Sequence, residues 1–354
     1  MAKKSMAKKS MAKESMAKPM REISGATPAA LTDAVLTATE PLVLRGLVAS
    51  WPLVQASLRS QREGIAYLRR FYRGEVVRAL IGPPEIGGRY FYNDDISGFN
   101  FDAVNARLDA ILDQVLEHLD SPCPPTFYVG STTVDTCLPG FRDENDLDLR
   151  NLDLGDRDPL VSVWTGNRSR IAAHQDLPDN LACVAAGRRR FTVFPPEQLR
   201  NLYIGPFEFT PANQPISLVD FHQPDLVKFP RFAEAMAHAQ VAELQPGDAI
   251  FMPSMWWHHV EGLDSFNVLI NYWWRQSPGY MDAPVNTLMH AMLTLRELPP
   301  AQRLAWQEVF RHYIFEADGS ETAHIPEPAR GALGPLDLDK ARAMRAAIIQ
   351  KLKR

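Results

Sequence analysis

The sequence predicts a mainly β sandwich or barrel, flanked by helices and followed by a helical C-terminal region. Short apolar runs separated by glycine and proline are typical of many-stranded β folds. The strand candidates are residues 160–165, 181–186, 191–194, 241–244, 249–252, 258–261 and 266–273. After Gln276 the apolar residues recur at helical spacing, which predicts helices at 285–295, 300–314 and 338–352.

The chain begins with a basic repeat. The stretch MAKKSMAKKSMAKESMAKPM repeats MAKxS every five residues, a period that fits neither a helix nor a strand. Residues 1–21 carry seven basic side chains against Glu14 alone, a net +6, so the remaining chain carries −10. We predict that residues 1–22 are a solvated, mostly disordered tail. The alternative is a basic arm that binds RNA or an acidic partner.

Helices and an insert are expected around the strands. Helical spacing predicts short helices at 29–39, 62–71 and 104–119, and residues 41–54 give a β-rich run with a glycine turn and a Trp-Pro stop. The acidic stretch 142–158 favours a solvated loop over a cation site. Residues 200–240 are rich in proline and predict an insert between two strands, with a helix at 232–240.

Composition excludes several classes of protein. The net charge of −4 and the isoelectric point near 6.2 give no global attraction to nucleic acid or to anionic membranes. Three cysteines do not suggest a disulfide framework, and neither a signal sequence nor a membrane-spanning run is expected. These features together predict a cytoplasmic protein.

One group of residues suggests a metal centre. His174 and Asp176 are two residues apart, and in a strand such side chains point the same way. A second element, PGD followed by an apolar strand, proline and aromatics, leads to His258 and His259. Two histidines and one carboxylate on a β scaffold suit non-haem Fe(II) and leave positions open for oxygen and a chelating cosubstrate. The same ligands also accept Zn, Co, Ni or Mn.

The order of these motifs resembles the cupin-like branch of the JmjC oxygenases, which includes the asparaginyl hydroxylase of hypoxia-inducible factor. The resemblance covers about residues 41–274. It rests on His174-Gln175-Asp176, Asn180, the GRRRF run from Gly187, the FPP run from Phe194, the PGD run from Pro246, the WWHH run from Trp256 and the NYW run from Asn271. It implies a double-stranded β-helix, a jelly-roll barrel flanked by helices, that uses Fe(II), 2-oxoglutarate and O2.

The resemblance also implies roles for individual residues. The metal ligands would be His174, Asp176 and His258, and His259 would be a packed histidine. Arg189 would bind the distal carboxylate of 2-oxoglutarate, although the family commonly has lysine there, and Ile171 stands where the family has threonine. The remaining cosubstrate residues would be Asn180, Asn271 and Tyr128, with Trp273 as a wall of the substrate pocket. Arg188 and Arg190 would point to the opposite face of their strand and be solvated or salt-bridged.

The predicted function is therefore an Fe(II)- and 2-oxoglutarate-dependent hydroxylase acting on a protein side chain, with a small molecule or a tRNA as the other substrate classes. The alternatives are a metal-dependent cupin enzyme that does not use 2-oxoglutarate, and a non-catalytic cupin binding module. The domain would span residues 23–276, and the helices of 277–354 would make a homodimer. Asp220 and His222, in the insert, favour a hydrogen-bonded loop pair over a substrate contact.

Overall fold

The computed structural model describes residues 17–149, 152–154, 158–211 and 214–353. Residues 1–16 of the predicted tail lie outside the described residues. The prediction of a disordered tail is wrong for its last part, because Lys18–Pro19 and Arg21–Ile23 are strands and Met20 is buried. Contacts divide the chain into two compact units, Met1–Arg275 and Gln276–Arg354. No described helix is both long enough and apolar enough to cross a membrane.

The described part of the first unit contains two β-sheets. One sheet has the order β1-β12-β11-β14-β9-β5, and the other has the order β2-β3-β13-β10-β15-β8-β7-β4-β6. In chain order the strands are β1 Lys18–Pro19, β2 Arg21–Ile23, β3 Leu42–Leu44, β4 Val76–Gly82, β5 Arg89–Tyr90, β6 Asp102–Arg107, β7 Thr126–Thr133, β8 Leu160–Gly166, β9 Ser169–His174, β10 Asp179–Ala186, β11 Arg189–Phe194, β12 Gln240–Leu244, β13 Ala249–Met252, β14 Trp257–Gly262 and β15 Asn267–Trp274.

Successive side chains of the strands point to opposite faces of the sheets, so they contribute to two separate hydrophobic cores. Ala182 and Val184 of β10 face Phe191 and Val193 of β11 across the space between the two sheets. The intervening residues of β10, such as Leu181, pack on the other side of their sheet. There the nine-stranded sheet is covered by three helices, Pro52–Arg59, Gln61–Arg69 and Leu108–Glu117. The result is a jelly-roll core with helices on one outer face, which confirms the predicted fold class.

The strand predictions are accurate and the early helix predictions are less so. Each of the seven predicted strands is present, with ends that move by at most two residues. The prediction of one helix over 104–119 is wrong at its start, because residues up to Arg107 form β6. The predicted helix at 29–39 is a 3-10 turn, Pro28–Ala30, and a short helix, Asp33–Leu36. The Trp-Pro pair starts a helix, whose first residue is Pro52, and does not end a strand, because the strand of the predicted β-rich run stops at Leu44.

The insert between β11 and β12 packs on the outside of the six-stranded sheet. It contains a 3-10 helix, Pro196–Asn201, and a helix, Phe232–Ala237. Leu202, Val219 and Phe232 form an apolar cluster with Phe194 of β11 and Trp257 of β14. The insert is thus fastened to strands that also carry candidate site residues.

The second unit is helical and has little core of its own. Its main helices are Pro284–Thr294, Pro300–Phe310, which continues as a π-helical turn through Arg311–Phe315, and Leu338–Leu352. Among the described residues of this unit, only Thr322 and Ala341 are buried. An open, largely apolar cavity of about 1220 Å³ lies between the helices.

Candidate metal centre and anion pocket

Two strands and one loop bring the predicted metal ligands together. His174 ends β9 and lies directly opposite His258 of β14 in the antiparallel ladder. Asp176 follows in the loop between β9 and β10. One ligand atom from each of the three residues can be chosen so that all lie within 4.8 Å of one another. His258 is buried, and the other two side chains are partly buried.

The expectation that Asp176 shares a strand with His174 is wrong. The strand stops at His174, so period-two alternation does not aim the carboxylate. A register shift also occurs along β9, where His258 pairs with His174 and Val260 pairs with Ile171. The loop conformation, and not the pleat, therefore determines where the carboxylate lies.

Hydrogen bonds set the orientation of both imidazoles. The Nδ1 atoms of His174 and His258 lie 2.9 and 3.0 Å from the carbonyl oxygens of Ala172 and Trp256. A carbonyl oxygen only accepts, so each ring donates from Nδ1, and its Nε2 atom carries the lone pair when the imidazole is neutral. Both Nε2 atoms are then available as metal ligands, and the backbone carbonyls fix the rings as is common around protein-bound metals.

The charge states of His174 and Asp176 fit the same use. Burial, and secondarily the neighbouring His258, lowers the pKa of His174 to about 4. Burial raises the pKa of Asp176, but His258, whose Nε2 lies 3.6 Å from Asp176 Oδ2, outweighs it and the net pKa is lowered. At neutral pH the cluster thus presents a neutral His174 imidazole and a carboxylate. Burial lowers the pKa of His258, but Asp176 outweighs this effect and the net pKa is raised, so a bound metal would replace the Nε2 proton of His258.

His259 lies on the other side of β14. Its ring stacks on Phe221 of the insert, with ring centroids 4.6 Å apart and an angle of 18° between the planes. Burial lowers the pKa of His259 to about 4, and its Nδ1 atom has no hydrogen-bond partner. Alternation allows only one of the two adjacent histidines to face the cluster, and it is His258, the one that the family resemblance implies.

The two polar insert residues fasten the insert to the barrel. Asp220 lies 3.7 Å from the Arg89 guanidinium and 3.6 Å from that of Arg170. His222 Nε2 lies 2.5 Å from Glu261 Oε1 on β14. The two residues also bond to each other, because the His222 backbone N–H donates to Asp220 Oδ1 at 2.9 Å. These contacts agree with the interpretation of Asp220 and His222 as a hydrogen-bonded loop pair, which the barrel residues hold in place.

A buried cation lies in the interior of the barrel. Arg189 on β11 is 1% exposed and shares the face of Phe191 and Val193 that lines the space between the sheets. In the described part of the chain no carboxylate pairs with it, and its Nε atom has no partner. Burial lowers the pKa of the Arg189 guanidinium, and the nearby Tyr128 hydroxyl partly opposes this effect. The flanking Arg188 and Arg190 point outward and pair with acidic side chains, as predicted.

Tyr128 connects this cation to the histidine cluster. Burial raises the pKa of Tyr128 to about 12, while the Arg189 charge acts in the opposite direction. The Asp176 carboxylate is also close enough to raise the Tyr128 pKa. The tyrosine hydroxyl is therefore near enough to both the buried guanidinium and the Asp176 carboxylate to feel their charges.

A row of polar groups with unmet hydrogen bonds lines the same interior. Asn271 Nδ2 donates to Asn180 Oδ1 at 2.8 Å, which leaves Asn271 Oδ1 without a partner. The indole Nε1 atoms of Trp164 and Trp273 also lack partners, and the two rings contact edge to face. Because unpaired buried polar groups cost about 1–3 kcal/mol each, their concentration indicates a place prepared for a polar ligand.

The sequence analysis missed one member of this row, Ser162, and the structure places the expected departure, Ile171, in the same interior. Ser162 of β8 is 1% exposed, lies opposite Asn271 in the ladder and has an unpartnered hydroxyl. Alternation from Trp164 would have placed it on the inner face. Ile171, where the family has threonine, packs against the interior apolar cluster and brings no hydroxyl.

A jelly-roll barrel that gathers two histidines and an aspartate beside a buried arginine defines a cupin-type protein. The sequence profile of the family described as cupin-like domain matches residues 28–280. The chain belongs to this family, in its JmjC-type branch.

Curated relatives resemble parts of the chain. Lysine-specific demethylase 8 of Xenopus tropicalis is 26% identical over 258 residues, 68% of this chain and 49% of the relative. HSPB1-associated protein 1 of Homo sapiens is 41% identical over 142 residues, 38% of this chain and 28% of the relative. The tRNA wybutosine-synthesizing protein 5 of Danio rerio is 30% identical over 120 residues, 34% of this chain and 31% of the relative. The chain thus spans about half the length, or less, of these relatives.

Proposed function

We propose that the protein is an Fe(II)- and 2-oxoglutarate-dependent hydroxylase that acts on a protein side chain. The observation that carries the proposal is the Arg189 cation, which has no carboxylate partner among the described residues and is buried in the interior whose edge holds His174, Asp176 and His258. Burying a charge without a partner costs several kcal/mol, and an anionic ligand removes that cost. A non-catalytic module has no physical need for either feature.

The three candidate ligands fit a divalent metal such as Fe(II). Two imidazoles whose Nδ1 atoms are engaged by the backbone, so that Nε2 remains for the metal, and one ionised carboxylate are the donor set of non-haem iron sites. When bound there, iron would supply the oxygen chemistry that converts 2-oxoglutarate and O2 to succinate and CO2 and adds one oxygen atom to the substrate.

The protein's own residues would bind and orient the cosubstrate. Arg189 would pair with the distal carboxylate through its planar fork, and the Tyr128 hydroxyl would donate to the same group. Asn180 and Asn271, already hydrogen-bonded to each other, would fix the remaining oxygens. Trp273 would close the pocket wall and exclude water. The departure from the family lysine to Arg189 keeps the charge and changes its geometry.

The substrate class is proposed from two considerations. The curated relatives include proteins named for lysine demethylation, which supports a protein substrate. A relative named for wybutosine synthesis in tRNA keeps a nucleic-acid substrate as the second candidate.

Three unpaired cysteines support the predicted cytoplasmic location.

The proposed activity can be tested without knowing the substrate. Wild-type protein, Fe(II) and 2-oxoglutarate are incubated with a cellular peptide pool and, separately, with total tRNA, and mass spectrometry detects products that gain one oxygen atom. His174→Ala should produce none, whereas Arg188→Ala, an exposed neighbour of Arg189, should match the wild type. Oxygen gain in tRNA alone would overturn the substrate class. Absence of both product and 2-oxoglutarate consumption would favour a cupin that does not use 2-oxoglutarate.

We also propose that the helical unit mediates a homodimer. Its helices expose most of the large apolar side chains that are exposed in the chain, among them Leu293, Leu304, Trp306, Ile314, Phe315 and Leu352. An apolar surface of this extent on a small unit needs a cover, and a second copy of the same helices offers a complementary one by two-fold symmetry.

Light scattering on the full-length chain tests the dimer. The double variant Leu293→Asp/Phe315→Asp, which places charge at positions that are 79% and 77% exposed, should have the mass of one chain. Val227→Asp, at a 94% exposed position of the first unit, is the matched control and should remain dimeric. A wild-type mass equal to one chain contradicts the proposal.

A further inference from the structure

Asp176 differs from the other two candidate ligands in how its backbone is held. His174 and His258 lie in neighbouring strands and face each other in one ladder. Asp176 lies outside any strand, in the loop that joins β9 to β10. A ligand residue on a loop keeps its position only if other contacts fix the loop. Hydrogen bonds from residues that surround the metal ligands commonly tune metal affinity.

A turn from a distant part of the chain supplies such contacts. The turn is residues 253–256, and four hydrogen bonds join it to the loop of residues 175–179. Gln175 Nε2 donates to Met255 O at 2.7 Å, and Met255 N donates to Asp176 O at 2.9 Å. Ser254 Oγ donates to Leu177 O at 2.5 Å, and Ser254 N donates to Asp179 Oδ1 at 2.8 Å. These four bonds, here called the bracket, engage residues on both sides of Asp176 as well as its own carbonyl.

The bracket also connects two of the candidate ligands. The turn of residues 253–256 leads directly into β14, and Met255 is only three residues from His258. The loop that carries Asp176 is therefore tied to the start of the strand that carries His258. This connection limits how far the carboxylate can move from the His258 imidazole, which lies 3.6 Å away.

The turn is held in a strained conformation. Met255 has a φ of +68°, in the left-handed region that residues with a side chain rarely adopt. Such a conformation costs about 1–3 kcal/mol and persists only where the surroundings determine it, often at functional sites. Both hydrogen bonds of Met255 use its backbone, so the strained conformation is the one that forms the bracket. Its side chain is half-exposed and does not explain the strain by burial.

We infer that the bracket positions Asp176 for metal binding, with Ser254 and Gln175 as positioning residues. The inference rests on the proposed metal centre and adds residues that make no contact with the metal. Without the bracket the loop would sample conformations in which the carboxylate points away from the two imidazoles. Metal affinity would then fall while the fold, which the strands and helices stabilise, would remain.

The test measures binding of Co(II) to the full-length protein by calorimetry, together with the free energy of unfolding of the metal-free protein. Ser254→Ala and Gln175→Ala should each weaken Co(II) binding by about 10- to 100-fold, as loss of outer contacts typically does. Ser254→Thr, which keeps the hydroxyl, should restore it. Met255→Gly keeps both backbone bonds and relieves the strain, so its Co(II) affinity should equal that of the wild type.

A matched control separates positioning from general stability. Thr294→Val removes one exposed side-chain to backbone hydrogen bond, of 2.8 Å to His290 O, within a helix of the second unit. It should leave Co(II) binding unchanged.

If wild-type protein binds Co(II) and both bracket variants bind it equally well, the bracket has no positioning role. If wild-type protein fails to bind Co(II), the metal centre itself is wrong. If Ser254→Ala does not fold, Co(II) binding by Gln175→Ala alone tests the positioning role. This variant loses a hydrogen bond at the surface and should fold.

Discussion

Replacing Arg189 by methionine separates two effects that the structure assigns to this side chain. The guanidinium is buried and lacks a carboxylate partner among the described residues, so it destabilises the protein when no ligand is bound. Methionine has similar length and no charge. We expect Arg189→Met to raise the free energy of unfolding of the ligand-free protein by about 1–4 kcal/mol, the range found when buried charges are replaced by apolar groups of similar volume.

The same substitution should weaken cosubstrate binding. Removing one member of a buried hydrogen-bonded charge pair costs about 2–5 kcal/mol, which corresponds to roughly 30- to 5000-fold in the dissociation constant. Urea unfolding measures the first effect, and calorimetric titration of 2-oxoglutarate into Mn(II)-loaded protein measures the second. Arg188→Met, at an exposed and salt-bridged neighbour, is the control and should change neither quantity by more than about 0.5 kcal/mol. A variant that loses stability yet binds 2-oxoglutarate normally would refute the reasoning.

Three further predictions address other parts of the site. His174→Ala should abolish metal binding but leave a folded protein, and calorimetry with Mn(II) together with circular dichroism checks both. Ile171→Thr should tighten 2-oxoglutarate binding about fivefold by adding one hydrogen bond of about 1 kcal/mol, and an unchanged dissociation constant would place residue 171 outside the pocket. Burial raises the pKa of Glu261, but its hydrogen bond to His222 outweighs this and the net pKa lies below its ordinary value of 4.5. A carboxyl group whose pKa is lowered in the folded state stabilises the fold at pH values above its ordinary pKa. This stabilisation is lost as the pH falls through the folded-state pKa. Wild-type protein should therefore be more stable than Glu261→Gln near neutral pH and lose this advantage in acid, as urea unfolding over a pH series would show.

The sequence predicted most of the barrel because its strands carry local signals. Glycine and proline separate short apolar runs, so even β13 was placed with its observed ends. β6 was taken for helix because Val104 lies at helical spacing from Leu108 and Ile111, and an exposed edge strand has no clear alternation to oppose that pattern. Interpreting periodicity without knowing the partner strand therefore fails mainly at the edge of the sheet.

The candidate site could also be predicted only in part from the sequence. The motif spacing identified His174, Asp176 and His258 as a candidate set, and the structure brings them together. The sequence could not show that Asp176 leaves the strand, because the bracket that holds its loop comes from residues almost eighty positions later. It also could not show that no carboxylate in the described ranges pairs with Arg189, since pairing depends on contacts between strands that are distant in the chain.

The central claim is that the metal cluster and Arg189 together bind 2-oxoglutarate. The most direct measurement is anaerobic titration of 2-oxoglutarate into Fe(II)-loaded protein, with the visible absorption of a keto acid chelated to iron as the signal. We predict a band in the wild type that saturates with 2-oxoglutarate, requires much higher concentrations in Arg189→Ala, and is absent in Asp176→Ala. An iron-loaded wild type that shows no band at any concentration would contradict the claim.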